Sequence, residues 1–158
     1  MGDGDQKVTI RIFNHDSPDF IYMHIHGGGH CIGAADMQDQ SLEKVSKELN
    51  CVVVSVEYRL APTNPYPAAP DDCETAATWL IENSKKEFNT EKIIIGGESA
   101  GANLSAVTLL RLKSKGHRIA IANTEPGVKK LGFISKIILA FRNWLNKNIP
   151  TTIGLDHI

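Results

Sequence analysis

The sequence predicts an α/β protein with a mostly parallel sheet flanked by helices. Two observations lead to this class. Three short apolar runs, Phe20–His26, Cys51–Val56 and Lys92–Gly96, have the length and composition of strands. Stretches with a helical apolar stripe lie between and after them, and strands alternating with helices imply parallel pairing with helices on both faces.

The elements follow in order. Val8–Phe13 alternates, with Val8, Ile10 and Ile12 on one face and Thr9 and Arg11 on the other, as in a half-buried strand. Asn14–Asp19 (NHDSPD) is a turn cluster. Phe20–His26 (FIYMHIH) is a short apolar strand running into Gly27–Gly29. Leu42, Val45 and Leu49 then form a helical stripe, with Asp39 as the expected N-cap and Asn50 as the stop. Cys51–Val56 (CVVVSV) is β-branched and apolar throughout, which suits a strand covered on both faces. After a proline-rich loop, a helix is expected to open with Pro70 near its first position and with Asp71 and Asp72 in its first turn. Its apolar face is Cys73, Ala76, Ala77, Leu80 and Ile81. Lys92–Gly96 (KIIIG) reads as a third buried strand, and Ala100–Lys113 as a further helix.

Composition narrows the function classes. The chain has 158 residues, 42% hydrophobic and 22% charged, enough for one globular core. A net charge of -1 gives no global attraction to nucleic acid or an anionic membrane. No uninterrupted apolar run reaches membrane-spanning length, and the N-terminus lacks a signal-peptide pattern. Cys31, Cys51 and Cys73 are an odd count without metal-ligand spacing, so no metal site and a reducing, cytoplasmic location are expected. Two regions are expected: a core over 1–116, and a basic tail over 117–158 that holds six of the 17 basic residues but two of the 18 acidic ones. In that tail Leu131, Ile134, Ile138, Phe141 and Leu145 predict an amphipathic helix at about 130–147. Such a stripe could dock a partner, although core packing is its commoner use.

Two motifs carry chemistry. Gly97-Glu98-Ser99-Ala100-Gly101 is a G-x-S-x-G pattern directly after the KIIIG strand and directly before a helix. That is the context of a nucleophile elbow, where a sharp strand-to-helix turn lifts the serine hydroxyl clear of the backbone. Small residues on either side allow the close approach, and the helix N-terminus favours developing negative charge. His26-Gly27-Gly28-Gly29 closes the second strand, and consecutive glycines let backbone N–H groups converge on an acyl oxygen. The expected oxyanion donors are Gly28, Gly29 and Ala100. A phosphate loop would end in Gly-Lys-Ser/Thr, which Gly29-His30-Cys31 does not provide. Gly28→Val is accordingly expected to harm catalysis more than substrate binding.

HGGGH at 26–30, EYRLAP at 57–62, YPAAPDD at 66–72 and GGESAG at 96–101 stand in the order and spacing of the hormone-sensitive-lipase family of carboxylesterases, which this sequence resembles from about Val8 to Gly116. The resemblance implies a partial α/β-hydrolase fold acting on small carboxylic esters through an acyl-enzyme, without metal or cofactor. It implies Ser99 as nucleophile and His26 as a buttress of the glycine loop, and Gly27, Gly97, Glu98 and Gly101 belong to its supporting motifs. Glu98 stands where the family more often has Asp. Tyr58, Arg59 and Pro62 look like the family's structural loop, with the tyrosine packed and the arginine paired to a carboxylate.

A serine nucleophile needs a base and the base an orienting acid, which follow the serine in this fold as Asp or Glu and then His. After Ser99 the acids are Glu125 and Asp156 and the histidines His117 and His157. His117 is expected about 20 Å away, at the far end of a helix. Asp156 and His157 are adjacent where the family has them well separated, so neither is expected to serve. His15, His24 and His30 are expected in loops or packing. The family's cap and later strands find no match here, so a truncated or fragmentary sequence is the expectation. The alternative reading is a catalytically incompetent fragment or a small-molecule binding module, since the resembled family includes a plant hormone receptor that keeps the fold without the catalytic histidine. Substrate, acyl length and oligomeric state are not legible.

Overall fold

A computed structural model describes residues 7–117. The expected tail helix at about 130–147, Glu125, Asp156 and His157 lie outside the described residues. The elements are β1 (Thr9–Phe13), β2 (Phe20–Ile25), α1 (Asp39–Leu49), β3 (Cys51–Glu57), α2 (Ala68–Phe88), β4 (Ile93–Gly97) and α3 (Ala100–Ser114). The four strands form one sheet in the order β1-β3-β2-β4. β2 pairs parallel with both β3 and β4, and β1 pairs antiparallel with β3. The mostly parallel sheet read from the alternation is therefore present.

The pattern of burial follows strand position. β2 and β3 occupy the middle, and every residue of Phe20–Ile25 and Cys51–Val56 is buried. Their β-branched and apolar composition suits strands with side chains covered on both faces. β4 departs from expectation: it runs Ile93–Gly97, and all five residues are half-buried, because β4 pairs on one side only among the described residues. In β1 Ile10 packs against the core as expected, but Ile12 on the same face is 44% exposed. An edge strand has less neighbouring structure to cover it.

Helix termini deviate by a residue or two. α1 starts at Asp39, so the N-cap is Gln38, and Asn50 ends the helix in the left-handed conformation with φ 50°. Asn is one of the few residues that tolerates that conformation. Arg11 of β1 forms a paired hydrogen bond with Asp39, tying the start of α1 to the sheet. α2 begins two residues before Pro70, at Ala68, leaving Asp71 as the acidic residue of its first turn. Its stripe of Cys73, Ala76, Ala77 and Leu80 joins Met23, Ile25, Val54 and Val56 in one core, together with Leu104 and Leu112 of α3. Arg111 of α3 reaches Asp71 and Glu74 of α2, and Lys115 also reaches Glu74, so the two helices are held by ion pairs at the rim of that core.

The loop after β3 is fixed by Asp72, which is 2% exposed. Its carboxylate accepts from the Arg59 backbone N–H at 2.8 Å and from the guanidinium at 2.9 Å. The expected arginine–carboxylate pair is thus a backbone anchor as well. Replacing Asp72 by Ala strands a partly buried N–H group. Urea denaturation should show Asp72→Ala to lose about 1–3 kcal/mol, with Asp72→Asn recovering part, since its amide oxygen still accepts.

Candidate active site

Parallel pairing brings the two motifs together. The last residue of β2, Ile25, is in register with the last residue of β4, Gly97. The glycine loop and the Ser99 turn therefore leave the sheet side by side, at the same height, although about seventy residues separate them in sequence. A side chain joins them: the Gly27 backbone N–H donates to the Glu98 carboxylate Oε1 at 2.8 Å.

The Ser99 turn has the geometry of an elbow. Ser99 has φ 53° and ψ -117°, a conformation that non-glycine residues rarely adopt. It is exposed, and α3 begins at the next residue. The neighbouring backbone closes the turn, with Gly101 N–H on Glu98 O at 2.9 Å and Ala102 N–H on Ser99 O at 3.1 Å. Gly97 and Gly101 flank it for a steric reason. A Cβ on either would come within 2.0 Å or 1.9 Å of the Ile25 carbonyl oxygen. The contact that demands small residues is thus chiefly with the end of β2, and only secondarily between strand and helix.

The glycine loop is held at Gly27 from both sides. Gly27 O accepts from His26 Nδ1 at 2.8 Å and from the Tyr58 hydroxyl at 3.3 Å, while its N–H is held by Glu98. Tyr58 also donates to His26 O at 2.9 Å and stacks on the His26 ring at 4.2 Å between centroids. Burial pushes the Tyr58 phenol up to about 12, so it stays protonated and donating. His26 is buried and lies against Gly33 and Tyr58.

Beyond Gly27 the chain turns sharply. Gly28 has φ 114°, and its carbonyl accepts from the Cys31 and Ile32 N–H groups, each at 3.1 Å. A Cβ at Gly28 would lie 1.9 Å from the Ile32 carbonyl oxygen. This changes the expectation for Gly28→Val: such a side chain collides with the turn itself and is no clean probe of catalysis. Gly29 has φ 60° but open space around a Cβ. Among the described residues, the N–H groups of Gly28, Gly29 and Ala100 have no hydrogen-bond acceptor.

Glu98 and His24 play larger parts than sequence suggested. Glu98 Oε1 also accepts from Gln38 Nε2 at 2.7 Å, and Oε2 lies 3.0 Å from His24 Nε2. His24, expected as a packing residue, is indeed buried, at 3% exposure, but it is bonded on both ring nitrogens. Its Nδ1 faces Ser55 Oγ at 3.3 Å, and Ser55 commits its proton to Ala35 O. Burial pulls the Glu98 carboxyl up, but hydrogen bonds from His24 and the Gly27 N–H outweigh it, and the carboxyl is held below its ordinary value of 4.5.

Neither His24 nor His26 is hydrogen-bonded to the serine. Ser99 Oγ has no hydrogen-bond partner among the described residues. His117 follows the C-terminus of α3, whose N-terminus carries Ser99. A helix of that length spans about 22 Å, so the expected separation holds.

A sheet with helices on both faces, a strained serine on a strand-to-helix turn and an adjoining glycine loop define an α/β-hydrolase. A family profile described as alpha/beta hydrolase fold matches residues 22–137. The chain belongs to this family, in the branch that includes hormone-sensitive-lipase-like esterases. It is 31% identical to an arylesterase of Saccharolobus solfataricus, over 96% of this chain and 51% of that protein. It is 40% identical to the carboxylesterase NlhH of Mycobacterium tuberculosis over 66% of this chain and 34% of the other. Among solved structures, a bacterial heroin esterase superposes with a TM-score of 0.69 at 35% identity, covering 76% of this chain and 39% of its own. The chain spans about half, or less, of the length of these relatives.

Two predictions follow from the packing at the elbow. Gly101→Ala should cost about 3 kcal/mol or more, because backbone must move to admit the methyl group. Gly29→Ala, strained in φ but unobstructed, should cost about 1–2 kcal/mol; urea denaturation of the two variants checks the order. The second concerns acid. The folded-state pKa of Glu98 lies below the unfolded one, so its contribution is complete above 4.5 and disappears as pH falls through the lower folded value. Stability measured from pH 6 downwards should fall less steeply in Glu98→Gln than in the parent. An unchanged acid slope would contradict the assignment.

Proposed function

We propose that this chain is a serine-dependent hydrolase of carboxylic esters that works through an acyl-enzyme. Ser99 Oγ bonds to the acyl carbon, the ester C–O bond breaks and the alcohol leaves with the proton that the serine gives up. Water then releases the acyl group as the acid and restores the hydroxyl, while the Gly28, Gly29 and Ala100 N–H groups receive the charge that develops on the carbonyl oxygen in each step. The observation that carries the reading is the strained, exposed Ser99 beside a glycine loop whose Gly27 is bonded to the residue preceding it. The dipole of α3, which begins at Ala100 directly after the serine, adds positive potential there. Esterase names among the relatives point the same way, to small ester substrates. Residues 7–117 supply the nucleophile and the anion donors; no side chain among them is bonded to the Ser99 hydroxyl. The three cysteines are free, Cys31 exposed and Cys51 and Cys73 buried, which supports a reducing, cytoplasmic setting. No helix among the described residues is long and apolar enough to cross a membrane.

The test is hydrolysis of a short-chain nitrophenyl ester and covalent labelling by an organophosphonate, each with the parent chain and Ser99→Ala. Labelling should occur at Ser99 and vanish in the variant, and ester turnover above background should vanish with it. Equal rates in the two proteins would sink the assignment.

A further inference from the structure

The Glu98 carboxylate gathers three donors from three separate parts of the chain. Gly27 comes from the glycine loop, Gln38 from the residue before α1, and His24 from inside β2. Glu98 itself immediately precedes Ser99. A glycine-rich loop has many backbone conformations available, so N–H groups in it are aimed only if something removes that freedom. Here the bond to Gly27 does so, and its geometry depends on where the carboxylate sits. Two further donors hold it there, one on each oxygen: Gln38 shares Oε1 with Gly27, and His24 meets Oε2. His24 is itself fixed, because Ser55 braces its other ring nitrogen from β3.

We propose that His24 and Gln38 are positioning residues for the anion-binding loop, acting through Glu98 and Gly27. The proposal rests on the reading of Ser99 and the glycine loop as a catalytic pair. Neither His24 nor Gln38 touches the reacting atoms. They set the orientation of the carboxylate, the carboxylate sets the Gly27 peptide, and that peptide sets the direction in which Gly28 and Gly29 present their N–H groups. Loss of either donor leaves the carboxylate free to rotate towards solvent, since Glu98 is half exposed.

The experiment measures NMR amide exchange at Gly27 and, in the same samples, the limiting rate of Ser99 labelling by an organophosphonate. It uses the full chain and the variants Glu98→Ala, Gln38→Ala, His24→Ala and His24→Gln, the last keeping an amide donor. Glu98→Ala should accelerate exchange at Gly27 by about tenfold or more, with a smaller rise in Gln38→Ala and unchanged exchange in β3 and α2. Limiting labelling rates should fall in the same order while the half-saturating probe concentration stays constant, and His24→Gln should recover part of what His24→Ala loses. Should the buried-site or Glu98 variants fail to fold, Gln38→Ala, at a partly exposed position, carries the test alone. Unchanged Gly27 exchange would overturn the proposal. So would faster exchange spread equally through β3 and α2, which marks general destabilisation, and so would faster Gly27 exchange with undiminished labelling. A parent chain that is never labelled, yet loses Gly27 protection in the variants, supports the network and counts against the reading of Ser99 instead.

Discussion

The contact on which the site depends is the approach of Gly97 and Gly101 to the carbonyl oxygen of Ile25. It brings the last residue of β4 and the first turn of α3 against the last residue of β2. There is room there for hydrogen atoms and none for methyl groups. Once the approach is made, the chain between the two glycines has three residues in which to reverse from strand to helix. Ser99, in the middle, takes a positive φ because the path is that short. The parallel register Ile25↔Gly97 then starts the glycine loop at the level of the elbow. One close contact therefore determines both the strain at the serine and the position of its neighbouring loop.

The ends of the three parallel strands all feed this place. β2 continues into His26 and the glycines, β3 into Tyr58, and β4 into Glu98 and Ser99. Tyr58 holds the carbonyls of His26 and Gly27 from one side, and Glu98 holds the Gly27 N–H from the other. The arrangement follows the general rule that open α/β sheets place their sites beyond the carboxyl ends of the strands. It also explains why Asp72 matters at a distance: by fixing the Arg59 backbone, it fixes the segment that carries Tyr58.

Much of this was legible because the relevant constraints are local. G-x-S-x-G between a strand and a helix needs no partner to be recognised, and HGGG at a strand end announces its own backbone geometry. The Arg59–carboxylate pair was legible as a type of interaction, although only the structure identifies Asp72. His24 was not legible. It stands in an otherwise apolar run, and its partners, Ser55 and Glu98, are 31 and 74 residues away. A polar residue at a position destined for full burial was the available signal, since such a group requires a partner. The half-burial of β4 was equally hidden, because KIIIG has the composition of a central strand and composition does not report the sheet order. Gly28 shows a third limit: its glycine could be read as serving an oxyanion, whereas its nearest constraint is the Ile32 carbonyl.

The strain at Ser99 also says where such a residue can be placed. A rare backbone conformation costs on the order of 1–3 kcal/mol, and it persists only where the surroundings overdetermine it. The helix that follows buries Leu104 and Leu112 almost completely, at 1% and 0% exposure. Each such side chain contributes about 1.5–3 kcal/mol. Burial of these two residues alone thus matches or exceeds the cost of the turn, before the strands on the other side are considered. On a loop without a packed helix behind it, the same serine would relax to an ordinary conformation and lower its hydroxyl towards the backbone. The exposure of Ser99 is therefore a consequence of the core beneath α3 as much as of the five-residue motif. Residues far from the serine, chosen for volume and not for chemistry, keep its hydroxyl in the open.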